Sequence, residues 1–159
     1  MQLDLEHVLK VFIECEAGSD KKNRYDDETL AYKSTDRVLR PYPYAYGFIV
    51  GTSGSDGECV DCFVITEDHL QAGTMVECEI AGLLEFDEDG EDDHKVIAYL
   101  PGQRLKIDQR LRTTLEQFIY GIFAKFPDMK VKVGDILPKQ AALDHITRST
   151  HQNPPDSRH

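Results

Sequence analysis

The segment TMVECEIAGLLEF (74–86) decides how the chain is read. Val76, Cys78 and Ile80 alternate with Glu77 and Glu79, the period of two that sends successive side chains to opposite faces of a strand. The same period recurs upstream in VLKVFIECE (8–16), YGFIV (46–50) and VDCFVIT (60–66), and downstream in KVIAYLP (95–101). LAYKSTDRVL (30–39) reads as one or two strands around a polar middle. Turn-forming stretches separate them: SDKKNRYDDE, RPYP, GTSGSDG, LQAG and DEDGEDD. Short strands at this spacing predict a small barrel or sandwich.

After residue 101 the period changes. Leu111, Leu115, Phe118, Ile119, Ile122, Phe123 and Phe126 recur at helical spacing with one wide apolar face. Asp108 is the expected N-cap, and Pro127 the expected stop. MKVKVGDIL adds a last strand, and Pro138 starts a shorter helix to about 148. The expected organisation is one domain over 1–148, a β-barrel with helices packed against it, followed by a disordered polar tail, 149–159.

Composition narrows the function. At 159 residues, 40% apolar and 30% charged, the chain can build a core. It has no apolar run of transmembrane length and no signal-peptide pattern at MQLDLEHVLK, so a cytoplasmic protein without a membrane partner is expected. A net charge of −11 repels a phosphate backbone and argues against nucleic acid. The acids are not scattered. They concentrate in DGECVD (56–61) and DEDGEDD (87–93), which favours multivalent cations over simple solubility. The register of an EF-hand loop is absent from DEDGEDD, and strands rather than helices flank it. Taken alone, that stretch is a charged hairpin turn. Cys59 and Cys62 form a CxxC, half of a zinc signature; with Cys15 and Cys78 in strand-like stretches, the thiols read better as small apolar residues.

A second pattern is cationic and aromatic: Lys22, Arg37, Tyr42, Tyr46 and Lys95. Acids that hold metals, with cations and hydroxyls that complete phosphate oxygens, suit a metal-bound polyphosphate.

In order along the chain, IEC-EAGS (13–19), TDRVL (35–39), YPYAYGFI (42–49), DGECVD (56–61), AGLL (81–84) and DEDGEDDHKVIAYLP (87–101) resemble the soluble family I inorganic pyrophosphatases. The resemblance is strong over 13–101 and weak over 102–137. It implies an α+β fold, an OB-like five-stranded barrel with flanking C-terminal helices. It implies hydrolysis of pyrophosphate to two phosphates by a hydroxide activated on Mg²⁺, with Mn²⁺ fitting the same oxygen donors. Carried over by position, Asp56, Asp61, Asp87 and either Asp92 or Asp93 are metal ligands, Glu14 sits at the edge of the metal cluster, and Glu58 takes the general-base position. Lys22, Arg37, Tyr46 and Lys95 are expected on phosphate, with Tyr42 in support. A homo-oligomer, a hexamer in many bacterial members, is implied as well.

The chain departs from the family pattern at several of these places. Glu58 stands for Asp, and Cys59 and Glu16 each stand for Pro. Arg24 falls where the family has Glu. The turn 87–95 is one residue longer, so Asp92 and Asp93 compete for one role. Ile122 and Phe123 fall on a Tyr-Lys pair that holds phosphate, and Arg24 is the expected substitute for part of that charge. The alternative reading is a catalytically weak paralogue that binds a diphosphate-containing ligand or nucleotide.

Overall fold

Alternation along the central strands is what divides the core. In the computed structural model, which describes residues 8–52 and 59–151, Cys62, Val64, Val96 and Ala98 fall into one buried cluster while Phe63 and Ile97 fall into a second. Strands buried on both faces need a cover on each side.

The elements in chain order are β1 (Leu9–Cys15), β2 (Lys21–Tyr25), β3 (Tyr32–Arg37), β4 (Ala45–Ile49), β5 (Asp61–Val64), β6 (Met75–Glu88), β7 (Glu91–Asp92), β8 (Lys95–Tyr99), α1 (Gln109–Phe123), β9 (Val131–Pro138) and α2 (Lys139–His151). Five strands pair in the order β1-β4-β5-β8-β6, and β6 returns to β1, closing a ring. This is the expected OB-like barrel. All ring contacts are antiparallel except β5–β8. The 14-residue β6 makes closure possible: its first residues pair with β1, its middle with β8, and its last with β7 and β9. Ala142 and Ile146 of α2 join the first cluster, and Leu111, Leu115, Phe118 and Ile119 of α1 join the second. Burying Leu115 completely makes its truncation to Ala cost about 2–5 kcal/mol.

Three expectations change. SDKKNRYDDE is not all turn: residues 21–25 form β2, which pairs with β3 as a separate two-stranded sheet. Neither strand of this hairpin has a fully buried residue, so no apolar alternation marks it. An edge-on ring contact of Tyr25 with Phe12, centroids 4.9 Å apart, ties it to the barrel. Helix α1 has the expected cap, with the Asp108 carboxylate accepting the Leu111 N–H at 3.0 Å, but it ends at Phe123 rather than at Pro127. Pro127 disfavours helical geometry at Phe126, and tight turns replace the last helical turn, with Phe126 N–H donating to the Phe123 carbonyl. Helix α2 continues past 148 to His151.

Candidate active site

One cavity of about 400 Å³ lies between the β2–β3 hairpin, the ends of β5, β6 and β8, and α1. Glu14, Lys22, Tyr42, Tyr46, Asp61, Asp93 and Lys95, all expected in the site, line it together. Asp56 and Glu58 lie outside the described residues. Arg37, Asp87 and Asp92 are not lining residues. Arg37 instead sits exposed against the Asp20 carboxylate at 3.0 and 3.1 Å. Among the described residues, no three His, Cys, Asp or Glu side chains already gather as a metal-binding group.

Lys95 is the centre of the arrangement. Its ammonium is 2.8 Å from Asp61 and 3.0 Å from Asp93, on a side chain only 9% exposed. Burial works against the charge, but Asp61 and Asp93 outweigh it and hold the Lys95 pKa above its ordinary value. The rings of Tyr46 and Phe86 flank the ammonium, with centroids at 5.8 and 5.6 Å. Burial first, then the Asp61 charge, raises the Tyr46 hydroxyl well above its usual range, so Tyr46 is a neutral donor, and it bonds Asp61. Tyr42 is likewise raised by burial and by Cys15, whose thiol its hydroxyl meets.

The period of two puts Asp93, and not Asp92, on the cavity side of the hairpin. In the β6–β7 hairpin Asp87 is opposite Asp92 and Glu88 opposite Glu91, and Asp93 N–H donates to the Phe86 carbonyl at 2.8 Å. Residues 86, 88, 93 and 95 therefore share one face, and 87 and 92 share the other. Phe86, Glu88, Asp93 and Lys95 are the ones that line the cavity. On the outer face, a hydrogen bond with Asp92 raises the pKa of Asp87, ahead of burial and the Asp92 charge. Glu88 was not among the sequence candidates. Parity relative to Lys95, counted across a two-residue turn, is the signal that finds it. Burial, then the Asp93 charge, raises its pKa.

The far wall is the hairpin. Lys22, Asn23, Arg24, Asp26, Asp27 and Lys33 line the cavity there. Arg24 is present as expected, but its guanidinium is paired with Asp36 across the hairpin. Ile122 and Phe123 line the α1 side, so that wall is apolar. Cys59 lines the cavity whereas Cys62 is in the core, so the two thiols of the CxxC sit in different surroundings. Counting the charges, six carboxylates (Glu14, Asp26, Asp27, Asp61, Glu88, Asp93) face four cations (Lys22, Arg24, Lys33, Lys95). That is a carboxylate excess with cations interleaved, a setting that admits a polyphosphate anion only together with additional positive charge.

The inorganic pyrophosphatase family model matches residues 11–153. An inorganic pyrophosphatase of Helicobacter pylori (strain J99) is 32% identical over 166 aligned positions, covering 93% of this chain and 94% of that one. That of Sulfolobus acidocaldarius is 39% identical over 94 residues, and the match spans 57% of this chain and only 54% of the relative. A solved inorganic pyrophosphatase from Helicobacter pylori superposes with a TM-score of 0.82 at 27% identity, over 96% of this chain and 98% of that one.

Proposed function

The chain belongs to the inorganic pyrophosphatase family, and from this we infer that it is an inorganic diphosphatase whose reaction takes place in the cavity around Lys95. Water attacks one phosphorus, the bridging P–O bond breaks, and two phosphates leave. The observation that carries the assignment to this cavity is the sharing of one buried ammonium by Asp61 and Asp93 in an acid-rich pocket.

The donor chemistry suits hard divalent cations: Asp61, Asp93, Glu88 and Glu14 line one cavity, and the excess of carboxylates over cations there leaves room for added positive charge. Asp56 adjoins this set in sequence. Such ions, Mg²⁺ in our reading with Mn²⁺ as a substitute, supply charge neutralisation of the phosphates and a lowered pKa for the attacking water.

This chain's own residues supply the rest. Lys95 fixes the spacing of Asp61 and Asp93, so the carboxylates are positioned before substrate arrives. Lys22, on the hairpin wall, faces the substrate from the opposite side and offsets phosphate charge. Tyr46 keeps its proton and donates a hydrogen bond, to Asp61 in the free protein and to a phosphate oxygen when one competes. Glu58, by the resemblance, accepts the proton of the attacking water. Arg37 stays with Asp20 and takes no part unless that pair opens. Ile122 and Phe123 keep water from the α1 side.

The enzyme works in the cytoplasm as a homo-oligomer in this reading. No described helix is long and apolar enough to cross a membrane, and Leu39, Met75 and Phe126 offer exposed apolar surface for self-association. Light scattering tests the assembly. The activity is tested by phosphate release from pyrophosphate, with and without Mg²⁺, for wild type and Asp61→Asn. Mg²⁺-dependent turnover lost in Asp61→Asn is the expected result. A folded wild type that releases no phosphate would return the cavity to a diphosphate-binding role.

A further inference from the structure

We propose that Asp27 is a positioning residue for the acid-bearing segment that enters β5. Its carboxylate accepts the Cys59 N–H at 3.0 Å, across 32 positions of sequence. Cys59 lies two residues before Asp61 and is bonded directly to Glu58. The role rests on the reading of the cavity as a pyrophosphatase site.

The anchor is itself rigid. Asp27 sits in the loop that joins β2 to β3, and the neighbouring Asp26 carboxylate accepts N–H groups from Glu28 at 2.9 Å and Thr29 at 2.8 Å. The backbone closes the same turn, with Leu30 N–H donating to the Asp26 carbonyl and Asp26 N–H to that of Ala31. A carboxylate on such a turn holds its partner in place rather than following it.

Successive amides at the start of β5 are captured from two directions. Cys59 N–H goes to Asp27, and Val60 N–H goes to the Thr52 hydroxyl at 2.9 Å, which in turn donates to the Ile49 carbonyl at 2.7 Å. Thr52 holds the segment to the β4 side of the barrel. Asp27 holds it to the hairpin that carries Lys22, Arg24 and Lys33. Asp27 and Cys59 both line the cavity, so this bond joins its acidic wall to its cationic wall.

The residue type at 59 explains why a tether is needed. A proline there would fix φ and carry no N–H. Cysteine leaves φ free and provides the donor that Asp27 takes. A hydrogen bond to an ionised group does here what ring closure does elsewhere.

The test compares wild type, Asp27→Ala, Asp27→Asn, Cys59→Pro and the double variant Asp27→Ala/Cys59→Pro. The readouts are pyrophosphate kinetics and hydrogen exchange at the Cys59 amide. Asp27→Ala is expected to speed that exchange and to lower kcat by roughly 10- to 100-fold with KM nearly unchanged, the signature of misplaced reacting groups. Asp27→Asn, whose side-chain carbonyl accepts the same N–H, is expected to stay within about threefold of wild-type kcat. In the Cys59→Pro background, Asp27→Ala should cost nothing further. The proposal is overturned by wild-type kcat in Asp27→Ala, by an Asn variant as poor as the Ala variant (a charge role), or by an equal loss in both backgrounds. If Cys59→Pro does not fold, the Ala and Asn variants with the exchange data decide. A wild type inactive on pyrophosphate whose Cys59 amide still depends on Asp27 would sink the functional reading and leave the tether standing.

Discussion

Replacing Lys95 with Met removes the cation and keeps most of the volume. At an effective dielectric of about 20, each contact near 3 Å is worth roughly 5 kcal/mol of attraction. Desolvating the ammonium offsets most of this, because the side chain is only 9% exposed. Loss of one partner of a fully buried pair costs about 3–5 kcal/mol. Asp61 and Asp93 keep 30% and 39% exposure, so water relieves part of the penalty and about 2–3 kcal/mol is the expected loss. For a chain of this size that is a fall in Tm of about 4–12 °C. The raised folded pKa sets the pH window. Lys95 contributes fully below its unfolded value of about 10.4, and the contribution fades as pH rises through the folded value. The comparison therefore belongs at pH 7–8, where wild type and variant differ most. In the variant, Asp61 and Asp93 face each other without a cation between them, so Mg²⁺ should restore more of the lost Tm than it adds to wild type, while phosphate release stays low. Melting curves with and without Mg²⁺ read both effects. A Tm within 1 °C of wild type, or equal Mg²⁺ stabilisation of the two proteins, would refute the view that one ammonium holds these carboxylates ready.

The two faces of the β6–β7 hairpin should separate in metal dependence: Glu88→Gln is expected to raise the Mg²⁺ concentration for half-maximal phosphate release several-fold, and Asp87→Asn to leave it unchanged. Gly47→Ala should fail to accumulate as soluble protein or lose about 3 kcal/mol or more in a denaturant melt, because an added Cβ would lie 1.8 Å from the Phe12 carbonyl oxygen of the neighbouring strand. Iodoacetamide and mass spectrometry should find Cys59 alkylated in the native protein and Cys15, Cys62 and Cys78, all buried, protected. Burial and Asp27 push the Cys59 thiol up to about 11, so its thiolate is scarce at neutral pH and the rate should rise about tenfold per pH unit toward that value.

The barrel was legible because its strands are buried on one face or both, and burial writes itself into a sequence as alternation or as apolar runs. Strands β1, β4, β5, β6, β8 and β9 are all anticipated. The β2–β3 hairpin was half missed for the converse reason: it forms a wall of the cavity, its residues are chosen for charge, and nothing in KKNRY separates a strand from a loop. Asp27 was invisible for a related reason. Its partner is a backbone amide 32 positions away, and a backbone donor leaves no mark in side-chain pattern. The helix end failed more narrowly, since Pro127 forbids continuation but does not say how many residues earlier the helix stops.

In the acidic turn, Asp87, the acid carried over by position, does not line the cavity, and its neighbour Glu88 does. Counting forward from LLEF reaches Asp87, an acid, as the first of the turn. Counting back from Lys95, whose position between Asp61 and Asp93 is fixed by charge, reaches Glu88. The counts differ by one, and in a strand a difference of one exchanges inside for outside. The hairpin resolves them at its tip, where Asp89 and Gly90 take positive φ, 53° and 85°, as a two-residue turn of the primed type requires. Chemistry holds the register from the Lys95 end, so the acid that faces the cavity is the one of matching parity, and its identity as Glu rather than Asp is a longer arm reaching into the same space.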